Sequence, residues 1–234
     1  MKPVGLFAAV AALLAASVAA LALSRSGDAA PATTSHLDHT HMTMQTTAKA
    51  PSAAQTVLAL EMRRLWFEHV EWTRLAIVDF AAGSPALNAS LARLLQNQTD
   101  IGNAIAPYYG RAAGRKLTAL LREHILIAVD VLKAAKAGNT AALTRAQTRW
   151  NANADRIAAF LSSANPKNWP PAALRSMMRE HLGLTTKEAV ARLQGRWKAD
   201  VAAADEVARA MTHMADALTA GIVAQFPRRF AGSS

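Results

Sequence analysis

Cysteine is absent from the 234 residues. Disulfides, thiolate metal sites and covalent c-type haem are thereby excluded, and the chain is compatible with export without cross-links. Strand-like alternation is missing too. So are a glycine-rich phosphate loop and an α/β pattern, which excludes the familiar nucleotide-binding domains. His-Glu-x-x-His does not occur, and no Glu-x-x-His places both donors on one helix face. The usual helical zinc-protease and di-iron signatures are therefore ruled out. Acid is scarce: Asp and Glu number 16 against 26 Lys and Arg, for a formal net charge of +10. Such a balance favours contact with an anionic membrane surface or another polyanion. The plainer reading is a solvated basic surface. Nucleic acid is not an expected partner, because export removes the chain from it and no nucleic-acid fingerprint is present.

What is present begins with an apolar run, Val4 to Leu23. It is long enough to span a bilayer, and Ala20-Leu21-Ala22 offers small residues to a signal peptidase. Residues 1–23 read as a signal peptide or an N-terminal membrane anchor. Either places the remainder outside the cytoplasm, in the periplasm or on the outer face of the inner membrane. Residues 24–54, rich in Ala, Pro, Ser and Thr, read as a disordered linker. Within it, "HLDHTHMTM" supplies His36, His39, His41, Met42 and Met44. Imidazole and thioether together suit copper in either oxidation state, so this tail is a candidate for ion capture.

Residues 55–230 carry a helical period nearly throughout. The first stripe runs Leu58, Met62, Leu65, His69, Trp72, Ala76, Phe80, three and four apart. Gly83 stops it, and Ser84-Pro85 reads as the next cap. A second helix, interrupted near Asp100, is expected to end before Pro107. A third ends at Gly138-Asn139 and a fourth at Asn165-Pro166. A short fifth starts at Pro170-Pro171. Thr185 to Glu188 reads as a capping box opening a sixth, whose stripe passes through Trp197 and Val201 to Ile222. Trp66, Trp72, Trp150 and Trp197 read as core.

Three of the four histidines beyond the tail directly follow a glutamate: Glu68-His69, Glu123-His124 and Glu180-His181. The pairs recur at nearly equal intervals. The step from Glu68 to Glu123 is also the step from Ser84 to Asn139 and from Asp100 to Asp155. The fold class expected is all-α, a helical bundle of about three tandem αα-hairpins, six helices in all. In each pair the histidine lies on the core-facing stripe and the glutamate about 100° to its side. Packing about a common axis would bring the three imidazoles together. A duplicated core histidine can be purely structural, bonded to a carboxylate or a carbonyl. Converging neutral imidazoles can instead bind Zn or Cu, with the glutamates as ligands or outer partners. Asp100 and Asp155, with Asn151 and Asn153 beside the second, are candidates to receive hydrogen bonds from those rings or to pair with buried arginine. His213 is expected to be exposed and without a role.

The segments "EHVEWTRLAIV", "EHILIAVDVLKAAKAGN", "RWNANADRIAAFL", "EHLGLTTKEAVARL" and "GIVAQFP" resemble an uncharacterised family of bacterial all-helical proteins, over residues 58–230. Members sometimes carry the names glycosyltransferase or acetylglutamate kinase. The resemblance implies the helical fold, whereas those activities have no counterpart in the residues. An enzyme with a Glu–His acid/base pair is disfavoured, since adjacent residues on a helix point apart and no nucleophile stands out. The expectation is an extracytoplasmic metal-binding bundle for copper or zinc. The alternative is a structural or interaction module of the envelope with buried Glu–His networks and no ligand.

Overall fold

Ser52 starts the first helix with a reciprocal cap: its hydroxyl accepts from the Gln55 backbone N–H, and the Gln55 side chain accepts from the Ser52 N–H. The computed structural model describes residues 50–231. Among these residues there are six helices and no strand. They are α1 (Ala53–Ala82), α2 (Leu87–Tyr109), α3 (Arg111–Lys136), α4 (Thr140–Ala164), α5 (Pro171–Leu193) and α6 (Trp197–Gln225). A 3-10 turn, Pro227–Arg229, follows. None of the described helices is long and apolar enough to cross a membrane. The apolar run of residues 1–23 and the His/Met tail lie outside the described residues.

Each helix packs against its chain neighbour, and α6 also packs against α1. Three hairpins thus close into a ring. The closure is bolted by charge: Arg74 of α1 donates to Glu188 of α5 (2.6 Å) and to Asp200 of α6 (3.0 Å), and Arg192 reaches Asp200 at 2.8 Å. Both carboxylates are almost wholly buried. Desolvation holds the Glu188 carboxyl above its ordinary range despite Arg74.

The hairpin turns are made by Gly83, Gly138 and Gly195, with φ of 68°, 65° and 69°. A left-handed backbone is what glycine tolerates at a helix end. The steps from Gly83 to Gly138 and from Gly138 to Gly195 equal those between the successive Glu–His pairs. The repeat therefore includes a glycine at one constant offset after each histidine.

Several boundaries differ from the expectation. Helix α2 is continuous past Asp100 and carries Pro107 in its last turn. There the missing N–H removes a single bond, and Gly110 N–H still reaches the Ala106 carbonyl. Ser84 accepts from Ala86 N–H and so caps a turn, with the helix opening at Leu87. Thr185 to Glu188 is no capping box, because α5 runs unbroken to Leu193. The true break, Gln194–Arg196, resets the phase of α6. Its buried face is Asp200, Ala203, Val207, Met211, Met214, Leu218. Trp197 and Val201 are consequently exposed rather than core, and the Trp197 ring stacks beneath the Arg192 guanidinium instead.

Helices α2 and α3 approach most closely at Gly102 and Gly114. A Cβ on Gly114 would lie 2.5 Å from the Gly102 carbonyl oxygen, and one on Gly102 would lie 2.6 Å from that of Gly114. Gly114→Ala should therefore destabilise the fold by about 1–3 kcal/mol through overpacking, although alanine is the better helix former by about 1 kcal/mol. Urea unfolding monitored by helicity measures this. An unchanged or raised midpoint would show that the two backbones do not touch.

Candidate functional site

Helices α1, α3 and α5 begin at the same end of the bundle and run parallel, and each carries its histidine halfway along. The even-numbered helices return antiparallel. On one side of the histidine layer sit Met62, Trp66, Ile101, Leu121, Ile157 and Met178. On the other is an apolar cavity of about 60 Å³ lined by residues that include Ile77, Leu94, Ile125, Val131, Leu132 and Leu193. The imidazoles are thus a polar layer between two apolar ones.

The rings do converge. His181 lies between the other two, with ring centroids 5.6 Å from His69 and 5.9 Å from His124. All three side chains are buried. Burial disfavours the imidazolium, and neighbouring rings add repulsion at His69 and at His181. Desolvation, then His124, lowers His69 to about 3. Desolvation lowers His124 to about 4, against the pull of Asn153 and Glu123. His181, desolvated and facing both other rings, lies well below the usual value.

Hydrogen bonds assign the tautomer of His124. Asn153 donates its amide to the Leu120 carbonyl (3.1 Å) and to a Glu123 carboxylate oxygen (3.2 Å). Its own oxygen, 2.8 Å from His124 Nδ1, must then accept, so His124 carries its proton on Nδ1. The Nε2 lone pair of His124 is buried and has no partner among the described residues. In the first hairpin the Gln98 amide donates to the Leu94 carbonyl (2.8 Å) and to Asn97 Oδ1 (3.1 Å), and its nitrogen faces His69 Nδ1 at 3.3 Å.

Gln98 and Asn153 are equivalent positions of the repeat, each following its hairpin's histidine at an offset of 29. The matching position in the third hairpin is Ala210. His181 Nδ1 instead faces Thr185 Oγ1 one helical turn away, at 3.4 Å. Gln98 is absent from the sequence-based site, and Asn153 entered it only as a neighbour of Asp155. The shared offset from the histidines was the available signal.

The glutamates turn away from the imidazoles. Glu68 pairs with Arg64 and with Arg93 (2.8 Å). Glu123 pairs with Arg156 (2.6 Å), which holds its carboxyl below the usual range, and touches the layer only through Asn153. Glu180 is exposed, beside a shallow depression shared with His213 and Glu206. The rotation of about 100° between adjacent residues sends one side chain inward and the next to the surface. The other carboxylates are equally remote. Asp100 accepts from Gln96 (3.0 Å), and Asp155 pairs with Arg179 (3.1 Å). Asn151 bonds back to the Gln147 carbonyl of its own helix (2.9 Å). None of the three bonds to a ring. His213 is exposed, as its helical phase implied.

Among the described residues, no three or more His, Cys, Asp or Glu side chains are arranged to hold a metal ion. No family model, no curated protein and no solved structure matches the chain.

Stability should depend on pH in one direction. The folded pKa values lie below the unfolded value of about 6.5, so the unfolded chain binds more protons over the interval between them. The contribution is therefore complete above about pH 6.5 and is lost as pH falls through the folded values, near 4 and 3 for His124 and His69. Denaturant unfolding at pH 7.5 and 5.5 should show a loss of about 1 kcal/mol for each of the three histidines. His124→Gln should reduce that pH dependence by about one proton. Equal stability at both pH values would mean that the rings are solvated.

Proposed function

We propose that this protein is an extracytoplasmic metal-binding helical bundle, in which His69, His124 and His181 take up one copper or zinc ion. The observation that carries the proposal is three buried, neutral imidazoles linked by centroid distances of 5.6 and 5.9 Å along the chain His69–His181–His124. Imidazoles sharing one ion at about 2.0–2.1 Å have ring centroids roughly 5–5.5 Å apart, close to the separations of His181 from each of its two neighbours. Support also comes from the unpartnered Nε2 of His124. Its Nδ1–H is held by Asn153, with Glu123 behind it, the arrangement by which outer partners orient a ligating histidine. The glutamates serve in that outer capacity, Glu123 most directly, and not as ligands. His36, His39, His41, Met42 and Met44 collect the ion before the core receives it.

One observation favours a second reading, a structural envelope module without a ligand. Every ring Nδ1 already has a polar neighbour, and the donors are not set around a common point.

Equilibrium dialysis of the full chain separates the two. With the five tail donors changed to alanine, about one zinc or copper ion per chain should remain bound. His124→Leu in that background should abolish it while helicity by circular dichroism is retained. Zinc at about 100 times its Kd should add about 2.7 kcal/mol and raise the melting temperature by about 5–10 °C. No stoichiometric ion, or binding indifferent to all three histidines, would leave the structural module.

A further inference from the structure

Charge is segregated along the bundle axis. The end at which α1, α3 and α5 begin is built from residues 50–60, 101–122, 156–179 and 217–231. Side-chain contacts tie the last three of these segments together: Arg229 donates to the Pro107 carbonyl (2.6 Å), and Asn165 donates to that of Gly221 (2.8 Å). Tyr109 donates to Gln225 at 2.7 Å. The four segments contain ten Lys and Arg and no Asp or Glu. The remaining described residues contain 13 Lys and Arg and 14 Asp and Glu. One half of the bundle thus holds essentially the whole net charge of the domain.

Within the basic half, Arg156 and Arg179 reach across to carboxylates near the histidine layer. Arg229 lies over the rings of Tyr108 and Phe226. The others nearest the end, Arg111, Arg115, Lys116, Lys167, Arg175 and Arg228, form no salt bridge with a described carboxylate, and most of them are exposed. Cations left unpaired by their own fold suit a dense planar anion better than a point ligand. Tyr108 and Tyr109 are half-buried at the same end, and tyrosine is a residue type that settles at a lipid headgroup boundary. Ser52, where the N-terminal segment joins the bundle, sits there as well, and that segment contains the apolar run Val4 to Leu23.

We infer that this basic end is a docking surface for anionic phospholipid, and that the bundle stands on a membrane with α1, α3 and α5 pointing away from it. The inference is independent of metal binding. Arg111, Arg115 and Lys116, on the first turns of α3, form the most concentrated part of the surface. The opposite end, where Trp197 is exposed, faces the solvent.

The absence of cysteine makes a site-specific test direct. In the full chain, a fluorophore is attached to Ala112→Cys at the basic end or to Ala202→Cys near the start of α6. Vesicles carry a headgroup quencher. With about one-third phosphatidylserine, the probe at 112 should be quenched at least threefold more than the probe at 202, and about 0.5 M salt should remove the difference. The lipid concentration giving half-maximal quenching at 112 should rise on the order of 100-fold for Arg111→Gln, Arg115→Gln, Lys116→Gln combined. Phosphatidylcholine alone should leave both probes alike. Equal quenching at both positions on the anionic vesicles, or a difference that persists in phosphatidylcholine or in high salt, would overturn the inference.

Discussion

Three imidazoles can share an apolar interior only while they remain neutral, and much of the centre of this bundle is arranged around that condition. Water is kept away by one apolar layer that includes Trp66 and Met178 and another that includes Leu94 and Val131. A single imidazolium in that setting would be desolvated and would stand against another ring at a centroid distance of 5.6 or 5.9 Å. Each histidine therefore needs a neutral hydrogen-bond partner rather than a carboxylate. Gln98, Asn153 and Thr185 meet that need, all uncharged at any ordinary pH.

The carboxylates follow the same logic from the other side. Glu68 and Glu123 stay with arginines at the bundle surface, where their charges remain hydrated. Where buried carboxylates do occur, at Glu188 and Asp200, two arginines accompany them and the cluster fastens α1, α5 and α6 together. Breaking one partner of such a cluster leaves an uncompensated buried charge, which is far more costly than the intact cluster is stabilising. The ring of helices thus has an electrostatic seam at its closing contact and a neutral polar layer at its centre.

Much of this was legible in the residues. Helical periodicity and the recurrence of Glu–His foretold the helix number, the hairpin organisation and the inward placement of His69, His124 and His181. The third hairpin was misread for a physical reason. Thr185 and Glu188 have the spacing of a capping box, yet in the fold Thr185 faces His181 and Glu188 reaches Arg74, demands that spacing cannot reveal. The misplaced break carried Trp197 and Val201 onto a buried stripe they do not occupy. Gly195 held the correction, since it repeats Gly83 and Gly138 at the intervals of the histidines. The partners of the rings were harder to see, because Gln98, Asn153 and Ala210 occupy equivalent positions with three different side chains. The repeat keeps the histidine, while the means of satisfying it differ from hairpin to hairpin.

Convergence of the three rings is the claim on which all else stands, and imidazole NMR on the full chain at pH 7 tests it most directly. Cross-relaxation should connect His181 to both His69 and His124, with the ring proton of His124 on Nδ1. Silence between the rings, or three imidazoles titrating near about 6.5 as free histidines do, would contradict it.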